Sequence, residues 1–444
     1  MINKICTLLQ NKKILILGFG REGKSTYRFI RKHFPEKPVG IYDKNEIKES
    51  LQNVTIYQGD SYENIIPEYD LVFKSPGIVL SNTEDKILEK MSSQTDIFLQ
   101  FYRDRTIGIT GTKGKSTTSS LLYHELKHAG KDTVLVGNIG IPVFDQLENI
   151  HDETIVVFEL SSHQLEYVKH SPHIGLLLNV YQEHLDHYGT FEKYVAAKEN
   201  IYKFQKQGDL FVYNQEFTKP TDSLKAETIT ISNSLEDADA VVEANRIHYK
   251  GRQLEIHEEE LLLKGQHNIY NIAAAYVIAK SFGVEDETFD QALKTFQPLP
   301  HRLEYVAEVN GVKFYNDSIS TICETTIQGV NSIKDVDTVI LGGMDRGIDY
   351  EPLADFLLES EIRNIILMPD TGYRIEKLIF DKDKNGNDKN ILMVANVKEA
   401  VDTAKRTTMK GRTCLFSPAA ASYGFFKNFE ERGEVFKSFV LDKN

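Results

Sequence analysis

The sequence predicts an α/β protein built from three successive blocks. In each block, short apolar segments with strand character alternate with longer segments of helical periodicity, which is typical of layered α/β folds. A chain of 444 residues is also longer than one hydrophobic core usually serves. We place the blocks at residues 1–103, 104–299 and 300–444, with a hinge at the proline-containing stretch 298–300.

Composition excludes several classes of protein. Hydrophobic residues make up 41% of the chain and charged residues 26%, as in globular proteins with substantial cores. The net charge of −13 disfavours non-specific binding to nucleic acid. No apolar run approaches the roughly 20 residues of a membrane span, and the first residues do not form a secretory signal. Three cysteines, odd in number and far apart, indicate neither a disulfide framework nor a zinc site. We therefore expect a cytoplasmic protein without membrane insertion.

The first block contains a glycine-rich turn. A predicted strand at 13–17 leads into residues 18–23 (GFGREG), and an amphipathic helix follows through His33. A second strand, at 39–42, ends at Asp43, twenty residues after the last glycine, as in dinucleotide-binding folds. Such a turn recognises a pyrophosphate, which NAD and UDP-linked sugars share, so Asp43 would bind a ribose or a uracil edge. The alternative is a tight turn that needs glycine for packing. A third strand, at 70–73, runs into Lys74 and the sequence SPG at 75–77.

The second block opens on a phosphate-binding loop. Residues 108–118 (GITGTKGKSTT) join a predicted strand to a helix that we expect to begin at Ser116. Glycines allow backbone N–H groups to surround a polyphosphate, and the helix N-terminus adds positive charge. Lys115 would reach the β- and γ-phosphates, and the Ser116 hydroxyl would hold Mg²⁺. The spacing is two residues shorter than the Walker A pattern, so this motif alone leaves a chance match open.

Two further polar residues of this block have two interpretations each, and a third carries no local signal. Glu159 ends a predicted strand at 154–159, where a Mg²⁺ ligand or a solvated strand end would lie. His184 follows the apolar strand 175–179 and is either a metal ligand or an exposed loop residue. Periodicity places Lys198 near Tyr194 and Tyr202 on one helix face, but nothing local distinguishes it from a solvated lysine.

The remaining motifs lie in the second and third blocks. A β-rich insert at 227–263 predicts a hairpin around Gly251. Asparagines at 268 and 271 precede a helix rich in alanine, where they would cap the helix or bind adenine or phosphate. Arg302, beside His301, is either a phosphate clamp or a surface ion-pair partner. In the third block we predict strands at 312–315, 338–341, 364–368 and 413–416, with polar loops after them at one sheet edge.

The ordered set of motifs resembles the Mur ligase family over essentially the whole chain. The residues that carry the resemblance are GTKGKST at 111–117, ELSS at 159–162, Asn179 with His184, HNIYN at 267–271, His301 with Arg302, NDS at 316–318, LGG at 341–343 and the segment 417–433. The resemblance implies a UDP-binding Rossmann-like domain at 1–103, a P-loop ATPase-type domain with a mostly parallel sheet at 104–299, and a Rossmann-like domain that delivers an amino acid at 300–444.

The resemblance also implies an activity. It implies ATP-dependent, ADP-forming amide bond formation that adds D-glutamate to UDP-N-acetylmuramoyl-L-alanine through an acyl phosphate. That reaction is a cytoplasmic step of peptidoglycan precursor synthesis, and so of cell wall biogenesis, cell shape and cell division. The implied cofactors are ATP, two Mg²⁺ ions and CO₂ bound as a carbamate on Lys198. A carbamate makes chemical sense because an ammonium repels Mg²⁺ whereas a carbamate supplies an oxygen ligand. We expect a monomer.

By the same resemblance, two groups of residues receive roles. Ser116, Glu159, His184 and Lys198 would hold the metals, and Lys115, His184 and Lys198 would act in catalysis. The nucleotide would be bound by residues 111–117, namely Gly111, Thr112, Lys113, Gly114, Lys115, Ser116 and Thr117, together with Asn268, Asn271, Arg302 and Asp317.

Substrate contacts are implied at all three blocks. They are Gly18, Phe19, Gly20, Arg21, Asp43, Lys44, Ser75, Pro76, Gly77 and Asn138 for the UDP-linked substrate, and Thr321, Arg346, Ser422, Tyr423 and Phe429 for D-glutamate. Two residues depart from the family pattern. Ile319 stands where relatives often have lysine, so a cationic contact is missing or replaced. Arg346 stands where lysine commonly meets the glutamate side chain, and arginine does this with two parallel hydrogen bonds.

Three other functions remain to be weighed against the ligase. A nicotinamide-dependent dehydrogenase would use the Gly18 turn but leaves Lys115, Glu159 and His184 unexplained. A non-catalytic nucleotide switch would use the phosphate loop but leaves the segment 417–433 unexplained. A sibling ligase would add another amino acid or act on a folate.

Overall fold

A computed structural model describes residues 1–59, 62–80, 84–138, 141–220, 224–234, 237–383 and 389–442. The chain divides into two compact units: Met1–Ile256 with Ile269–Leu293, and His257–Asn268 with Lys294–Asn444. The first unit holds two β-sheets and the second holds one. The domain boundaries predicted at 103 and 299 remain a prediction.

The first sheet has the strand order of a Rossmann fold. Its region contains α1 (Ile2–Gln10), β1 (Ile14–Leu17), α2 (Arg21–His33), β2 (Val39–Asp43), β3 (Val54–Gln58), β4 (Leu71–Lys74), α3 (Asp85–Leu88), β5 (Met91–Ser92) and α4 (Gln94–Tyr102). The strands run parallel in the order β3-β2-β1-β4-β5. This order brings the glycine turn after β1 beside the ends of β2 and β4, where such folds bind nucleotides.

The second sheet places the phosphate loop at its centre. Its region contains β6 (Thr106–Thr110), α5 (Lys115–His128), β7 (Thr133–Gly137), β8 (Ile155–Glu159), α6 (Ser162–Leu165), β9 (Ile174–Leu177), α7 (Leu185–Tyr188), α8 (Phe191–Glu199), β10 (Leu210–Asn214), β11 (Glu227–Ser232), β12 (Ala240–Glu243), β13 (Arg246–Tyr249), β14 (Arg252–Glu255), α9 (Gln266–Ser281) and α10 (Asp286–Thr295). The order is β14-β13-β12-β11-β10-β9-β6-β8-β7, parallel from β7 to β12. The predicted hairpin around Gly251 is confirmed as β13 and β14.

The third sheet is also mostly parallel. Its region contains β15 (Glu304–Val309), β16 (Val312–Asn316), α11 (Cys323–Ser332), β17 (Val336–Gly342), α12 (Glu351–Glu359), β18 (Asn364–Met368), α13 (Thr371–Lys382), β19 (Asn390–Met393), α14 (Val397–Thr407), β20 (Thr413–Phe416) and α15 (Phe429–Val440). The order is β15-β16-β20-β17-β18-β19, in which β15 pairs antiparallel with β16. Strands β19, β18, β17 and β20 repeat the 3-2-1-4 order of a Rossmann half. The α/β fold class is thus confirmed.

Hydrophobic burial explains why these strands form. The central strands β1, β6, β9 and β17 are buried along their whole length, as expected for parallel strands covered on both faces. Several predicted bounds were wrong by one or two residues, and two of them lie near the phosphate loop. Helix α5 begins at Lys115 rather than Ser116, and the strand predicted at 175–179 ends at Leu177. Of the helices in the described ranges, none combines the length and the apolar character needed to cross a membrane.

Candidate active site

The phosphate loop between β6 and α5 has a shape that only glycine permits at one position. Gly114 adopts a left-handed backbone with φ +85°, and an added Cβ would lie 2.4 Å from Asn271 Oδ1. Asn271, on α9, accepts a hydrogen bond from the Thr118 hydroxyl at 3.2 Å. The structure therefore brings Asn271, a residue predicted to bind nucleotide, directly against the loop.

Asn179 holds the loop from the other side. Its side-chain oxygen accepts hydrogen bonds from the backbone N–H groups of Thr112 (3.1 Å) and Lys113 (2.8 Å), and its amide donates to the Lys113 carbonyl (3.1 Å). The Thr112 hydroxyl lies 2.9 Å from that of Tyr194. The sequence marked Asn179 as a polar residue at the sheet edge, but its part in fixing the loop backbone appears only in the structure.

Lys115 and Lys198 both point at the loop backbone. The Lys115 ammonium donates to the carbonyls of Gly111 and Thr112, each at 2.9 Å, and Lys198 donates to Gly111 at 2.7 Å. The local sequence did not distinguish Lys198 from a solvated lysine, whereas in the structure the residue is only 1% exposed. Burial, followed by the charge of Lys115, places the pKa of Lys198 well below its usual value.

The environment of Lys198 fits the group implied for it. Its Nζ lies over the ring of Tyr194 at 4.8 Å, and no carboxylate among the described residues comes within 4.0 Å of it. A lowered pKa increases the fraction of neutral amine, which is the form that reacts with CO₂. The predicted neighbourhood of Lys198 and Tyr194 is confirmed.

Glu159 provides a site suited to a divalent cation. It ends β8, next to the strand that carries the phosphate loop, and its side chain is fully buried. Oε1 accepts a hydrogen bond from the Asn138 amide at 2.9 Å, whereas Oε2 has no hydrogen-bond partner among the described residues. Because an unpaired buried carboxylate oxygen is costly, a hard cation such as Mg²⁺ fits this position. Ser116 lies in the first turn of α5.

His184 lies at the other candidate metal position with a constrained backbone. It is the N-cap of α7 with φ +56°, in the left-handed region that non-glycine residues rarely adopt. Its ring lies 4.8 Å from the ring of His163 and 6.0 Å from that of Tyr194, measured between centroids. Burial and the neighbouring His187 lower the pKa of His163 to about 4. An imidazole nitrogen suits Mg²⁺ less than an oxygen ligand does, so His184 alone does not make a complete Mg²⁺ site.

A cleft of about 420 Å³ lies at the glycine turn of the first sheet. Predicted substrate residues that line it are Gly18, Gly20, Arg21, Asp43, Lys44, Ser75, Pro76, Gly77 and Asn138, while Phe19 lines a neighbouring cleft. An added Cβ at Gly23 would lie 2.1 Å from the Gly18 carbonyl oxygen, so the third glycine serves close packing of the turn.

Within this cleft, both carboxylate oxygens of Asp43 already accept hydrogen bonds from the protein backbone. Its carboxylate accepts hydrogen bonds from the backbone N–H groups of Phe19 (2.7 Å) and Asn45 (2.8 Å), which shapes both loops. Arg21 donates to the Asn138 carbonyl at 2.8 Å. The cleft therefore connects through Asn138 to Glu159, a link that the sequence did not reveal.

In the second unit, Asp317 is buried and Arg302 is partly buried. Asp317 accepts hydrogen bonds from the Leu303 N–H (3.2 Å) and the Ser417 hydroxyl (2.7 Å), and burial raises its pKa to about 6. The Nε of Arg302 is buried without a hydrogen-bond partner in the described part of the chain. Asn268 donates to the Lys264 carbonyl at 2.7 Å. The Arg302 Nε is therefore a donor that a polar ligand would satisfy.

The loops after β16, β17 and β20 bring together the residues predicted to surround D-glutamate. Arg346 is exposed and donates to the Thr321 carbonyl at 3.2 Å. The Met344 N–H donates to the Ala421 carbonyl at 2.9 Å, which joins the Arg346 loop to the one carrying buried Ser422 and exposed Tyr423. Phe429 begins α15, and its carbonyl accepts from the Ser318 hydroxyl at 2.8 Å.

One residue that contacts these loops was not assigned a role from the sequence. Arg432 is 1% exposed and donates to the Ser318 hydroxyl (3.0 Å) and to the carbonyls of Ser318 (2.7 Å) and Ala420 (2.9 Å). Burial lowers the pKa of its guanidinium to about 10. Its motif lay in the segment 417–433, but burial of an arginine is not visible in a sequence.

A glycine-rich phosphate loop beside a buried acidic strand end, together with two Rossmann-ordered sheets, defines a class of nucleotide-binding α/β proteins. Comparison with known proteins identifies the family within this class. A family model described as the Mur ligase middle domain matches residues 109–279. The chain belongs to the Mur ligase family.

Two relatives that match nearly the whole chain share one name. The UDP-N-acetylmuramoylalanine--D-glutamate ligase of Caldicellulosiruptor bescii is 34% identical over 97% of this chain and 98% of its own length. The ligase of that name from Clostridium kluyveri is 32% identical over 97% of each chain. Mur ligases are ATP-dependent enzymes that require Mg²⁺.

Solved structures support the fold. UDP-N-acetylmuramate-alanine ligase MurC from Thermotoga maritima aligns over 98% of this chain and 100% of its own with a TM-score of 0.62 at 18% identity. MurF ligase from Thermotoga maritima, in complex with ADP, aligns over 98% of this chain and 97% of its own with a TM-score of 0.59 at 16% identity. At these identities the likeness concerns the fold alone.

Proposed function

We propose that this protein catalyses ATP-dependent amide bond formation between UDP-N-acetylmuramoyl-L-alanine and D-glutamate, releasing ADP and phosphate. The observation that carries the proposal is the whole-length similarity to ligases of that name, combined with the phosphate loop, the buried Glu159 and the buried Lys198. The reaction is a step of peptidoglycan precursor synthesis.

In this proposal, phosphoryl transfer activates a carboxylate. A carboxylate is a poor electrophile, so the alanyl carboxylate first attacks the γ-phosphorus of ATP, and ADP leaves. The amine of D-glutamate then attacks the carbonyl carbon of the acyl phosphate, loses a proton and displaces inorganic phosphate. One oxygen of the original carboxylate leaves with that phosphate.

The phosphate loop would stabilise the first step. The backbone of residues 111–117 would surround the phosphates, and Lys115 would release its two carbonyl acceptors to reach the β- and γ-oxygens. Ser116 and Glu159 would hold one Mg²⁺, and His184 and Lys198 a second. Bound Mg²⁺ neutralises the negative charge that accumulates between ATP and the carboxylate.

Lys198 would act as a carbamate. The ammonium first loses a proton; the neutral amine nitrogen then attacks CO₂ and loses a second proton, so that the side chain changes from a buried cation to a carbamate anion. This change relieves the repulsion between Lys198 and Lys115, because the second charge is now opposite in sign. It also supplies the oxygen ligand that His184 alone does not provide.

The cleft at the first sheet would hold the UDP moiety, with its pyrophosphate at the N-terminus of α2. Asn138 would touch the sugar-peptide part. Asn268, Asn271, Arg302 and Asp317 would bind the nucleotide of ATP. In the second unit, Arg346 would bind the side-chain carboxylate of D-glutamate, with Thr321, Ser422, Tyr423 and Phe429 around it. Ile319 offers no cation, so the contact that a lysine makes there in relatives falls to other groups.

We also propose that the enzyme is a cytoplasmic monomer, since UDP-linked precursors and ATP are cytoplasmic metabolites. The experiment that tests the function measures phosphate release with ATP, Mg²⁺ and UDP-N-acetylmuramoyl-L-alanine, adding D-glutamate, L-glutamate or L-lysine in turn. Release with D-glutamate alone is the expected result. Release with a different acceptor would favour a sibling ligase, and no release with any acceptor would favour a nucleotide switch.

A further inference from the structure

A buried ionic bridge lies behind the candidate metal site. The ammonium of Lys74, at the end of β4, lies 3.5 Å from Oε2 of Glu166, and the same oxygen lies 3.0 Å from His187 Nε2. The three side chains are 4%, 17% and 7% exposed, respectively. We refer to these three residues as the Lys74–Glu166–His187 bridge. Charges removed from water to this degree require well-formed partners, so the bridge fixes the positions of its members.

The bridge is attached to the element that presents His184. Helix α7 has four residues, Leu185–Tyr188, and a helix this short does not hold itself together by its own hydrogen bonds. The N–H groups of His187 and Tyr188 donate to the His184 carbonyl at 3.1 and 3.0 Å. The ring of His187 is therefore an anchor one turn away from the constrained His184 backbone.

His184 also needs support because of its own conformation. A non-glycine residue with φ +56° is strained and persists only where its surroundings enforce that conformation. The surroundings here include His163, whose ring lies 4.3 Å from His187 and 4.8 Å from His184. His163 belongs to α6, and Glu166 directly follows that helix. Two side chains from α6 and its C-terminal end, His163 and Glu166, therefore contact His187 of α7.

The other end of the bridge, Lys74, lies at the cleft beside the glycine turn of the first sheet. Lys74 Nζ is 3.5 and 3.4 Å from the carbonyl oxygens of Ser75 and Pro76, two residues that line that cleft. A second link joins α6 to the first sheet region, because Gln164 of α6 donates to the partly buried Glu22 carboxylate at 2.7 Å. The segment that holds α7 is thereby fixed to the first sheet.

We propose that Glu166 and His187 are positioning residues that hold His184 in its metal-binding conformation, with Lys74 as the buried counter-charge of Glu166. Neither residue is required to touch the ion or a substrate. The inference rests on the proposed function in one respect, namely that His184 faces a divalent cation. Groups that orient a metal-binding histidine from behind typically change metal affinity by about 10–100-fold when removed.

The test compares two substitutions of one residue. His187→Leu removes the N–H donor to Glu166, whereas His187→Gln keeps an amide N–H that can donate to the same carboxylate. Mn²⁺ binding to the full-length protein, with ADP and bicarbonate present, is measured by electron paramagnetic resonance. We expect His187→Leu to weaken Mn²⁺ binding about tenfold and His187→Gln to stay within about threefold of wild type.

Three further variants make the result interpretable. His184→Ala sets the size of the effect when the ligand itself is lost. Glu166→Gln keeps the side-chain shape but removes the charge, and it should weaken Mn²⁺ binding even if His187→Leu fails to fold. His170→Leu is the matched control, because it removes a different histidine–carboxylate hydrogen bond, to Asp96 at 2.9 Å, in the same unit. It should leave Mn²⁺ binding unchanged.

Equal Mn²⁺ affinity in His187→Leu and wild type would overturn the proposal, as would equal weakening by Leu and Gln at position 187. A His184→Ala variant that binds Mn²⁺ like wild type would also overturn it. These outcomes concern Mn²⁺ affinity and do not depend on whether the protein has ligase activity. Loss of Mn²⁺ affinity in the predicted order would support the bridge even if the wild type formed no D-glutamate product, a result that would contradict only the proposed function.

Discussion

Lys115 and Lys198 donate to one and the same oxygen. The Gly111 carbonyl lies 2.9 Å from Lys115 Nζ and 2.7 Å from Lys198 Nζ. Two ammonium groups that share one acceptor repel each other strongly away from water. The lowered pKa of Lys198 follows from its burial and this repulsion, and it makes the nitrogen available for chemistry as a neutral amine.

We predict that Lys198 carries a carbamate in solution. Protein equilibrated with ¹³C-labelled bicarbonate should show a carbamate carbon resonance in ¹³C NMR, and the signal should disappear in Lys198→Met. Lys127→Met is the control, since Lys127 lies on the exposed face of α5 and its loss should leave the signal in place. A signal that survives in Lys198→Met would place the carbamate elsewhere.

We predict that Glu159→Gln impairs metal binding more than nucleotide binding. Glutamine keeps an oxygen for the Asn138 hydrogen bond but removes the charge at the unpaired Oε2. ADP-forming turnover should fall by at least about 100-fold, and Mn²⁺ affinity should fall with it. Glu153→Gln, an exposed position just before β8, should behave like wild type. Unchanged Mn²⁺ affinity in Glu159→Gln would show that the carboxylate is not a ligand.

We predict that Arg346 determines affinity for the amino acid. Arg346→Met should raise the KM for D-glutamate by about 10–100-fold with a smaller effect on kcat, because a charge-assisted hydrogen bond to a carboxylate is worth about 1.5–3 kcal/mol. The control is Arg412→Met, which removes an ion pair with Asp335 at the opposite end of β20. A KM for D-glutamate that does not change would remove Arg346 from the pocket.

We predict that Glu125 makes stability fall as pH rises. This carboxyl on α5 is fully buried, neither oxygen has a hydrogen-bond partner among the described residues, and burial raises its pKa to about 9. Between its unfolded pKa near 4.5 and about 9, the folded state holds a proton that the unfolded state has lost. The free energy of unfolding therefore decreases with pH by up to about 1.4 kcal/mol per unit.

The substitution Glu125→Gln should remove this slope. Urea unfolding at pH 5.5 and pH 8 should show that the variant is more stable than wild type, with the larger gain at pH 8. Glu287→Gln, at an exposed position of α10, is the control and should show no such gain. A gain of equal size at both pH values would indicate that ionisation of Glu125 is not the cause.

The sequence predicted those parts of the fold that depend on local pattern. Apolar runs located most of the buried parallel strands but missed β10, and the glycine turns located the two loops that we propose to contact phosphates. The sequence did not reveal β3 or β15, edge strands whose exposed residues interrupt the apolar pattern. It also did not reveal the burial of Lys198, because its acceptor Gly111 lies 87 residues earlier in the chain.

The same reason explains why the Lys74–Glu166–His187 bridge could not be predicted. Its members come from β4, the end of α6 and α7, and each has an ordinary local sequence. Asn179 and Arg432 likewise act through residues that are distant in the chain. Motifs identify the loops of the candidate site, whereas tertiary structure determines which side chains hold those loops in place.

The most direct test of the proposed reaction follows one oxygen atom. UDP-N-acetylmuramoyl-L-alanine labelled with ¹⁸O in the alanyl carboxylate is incubated with enzyme, ATP, Mg²⁺ and D-glutamate, and phosphate and product are analysed by mass spectrometry. The proposal predicts one ¹⁸O in the released phosphate and a product that contains the D-glutamyl residue. ADP formation with unlabelled phosphate and no amide product would contradict it.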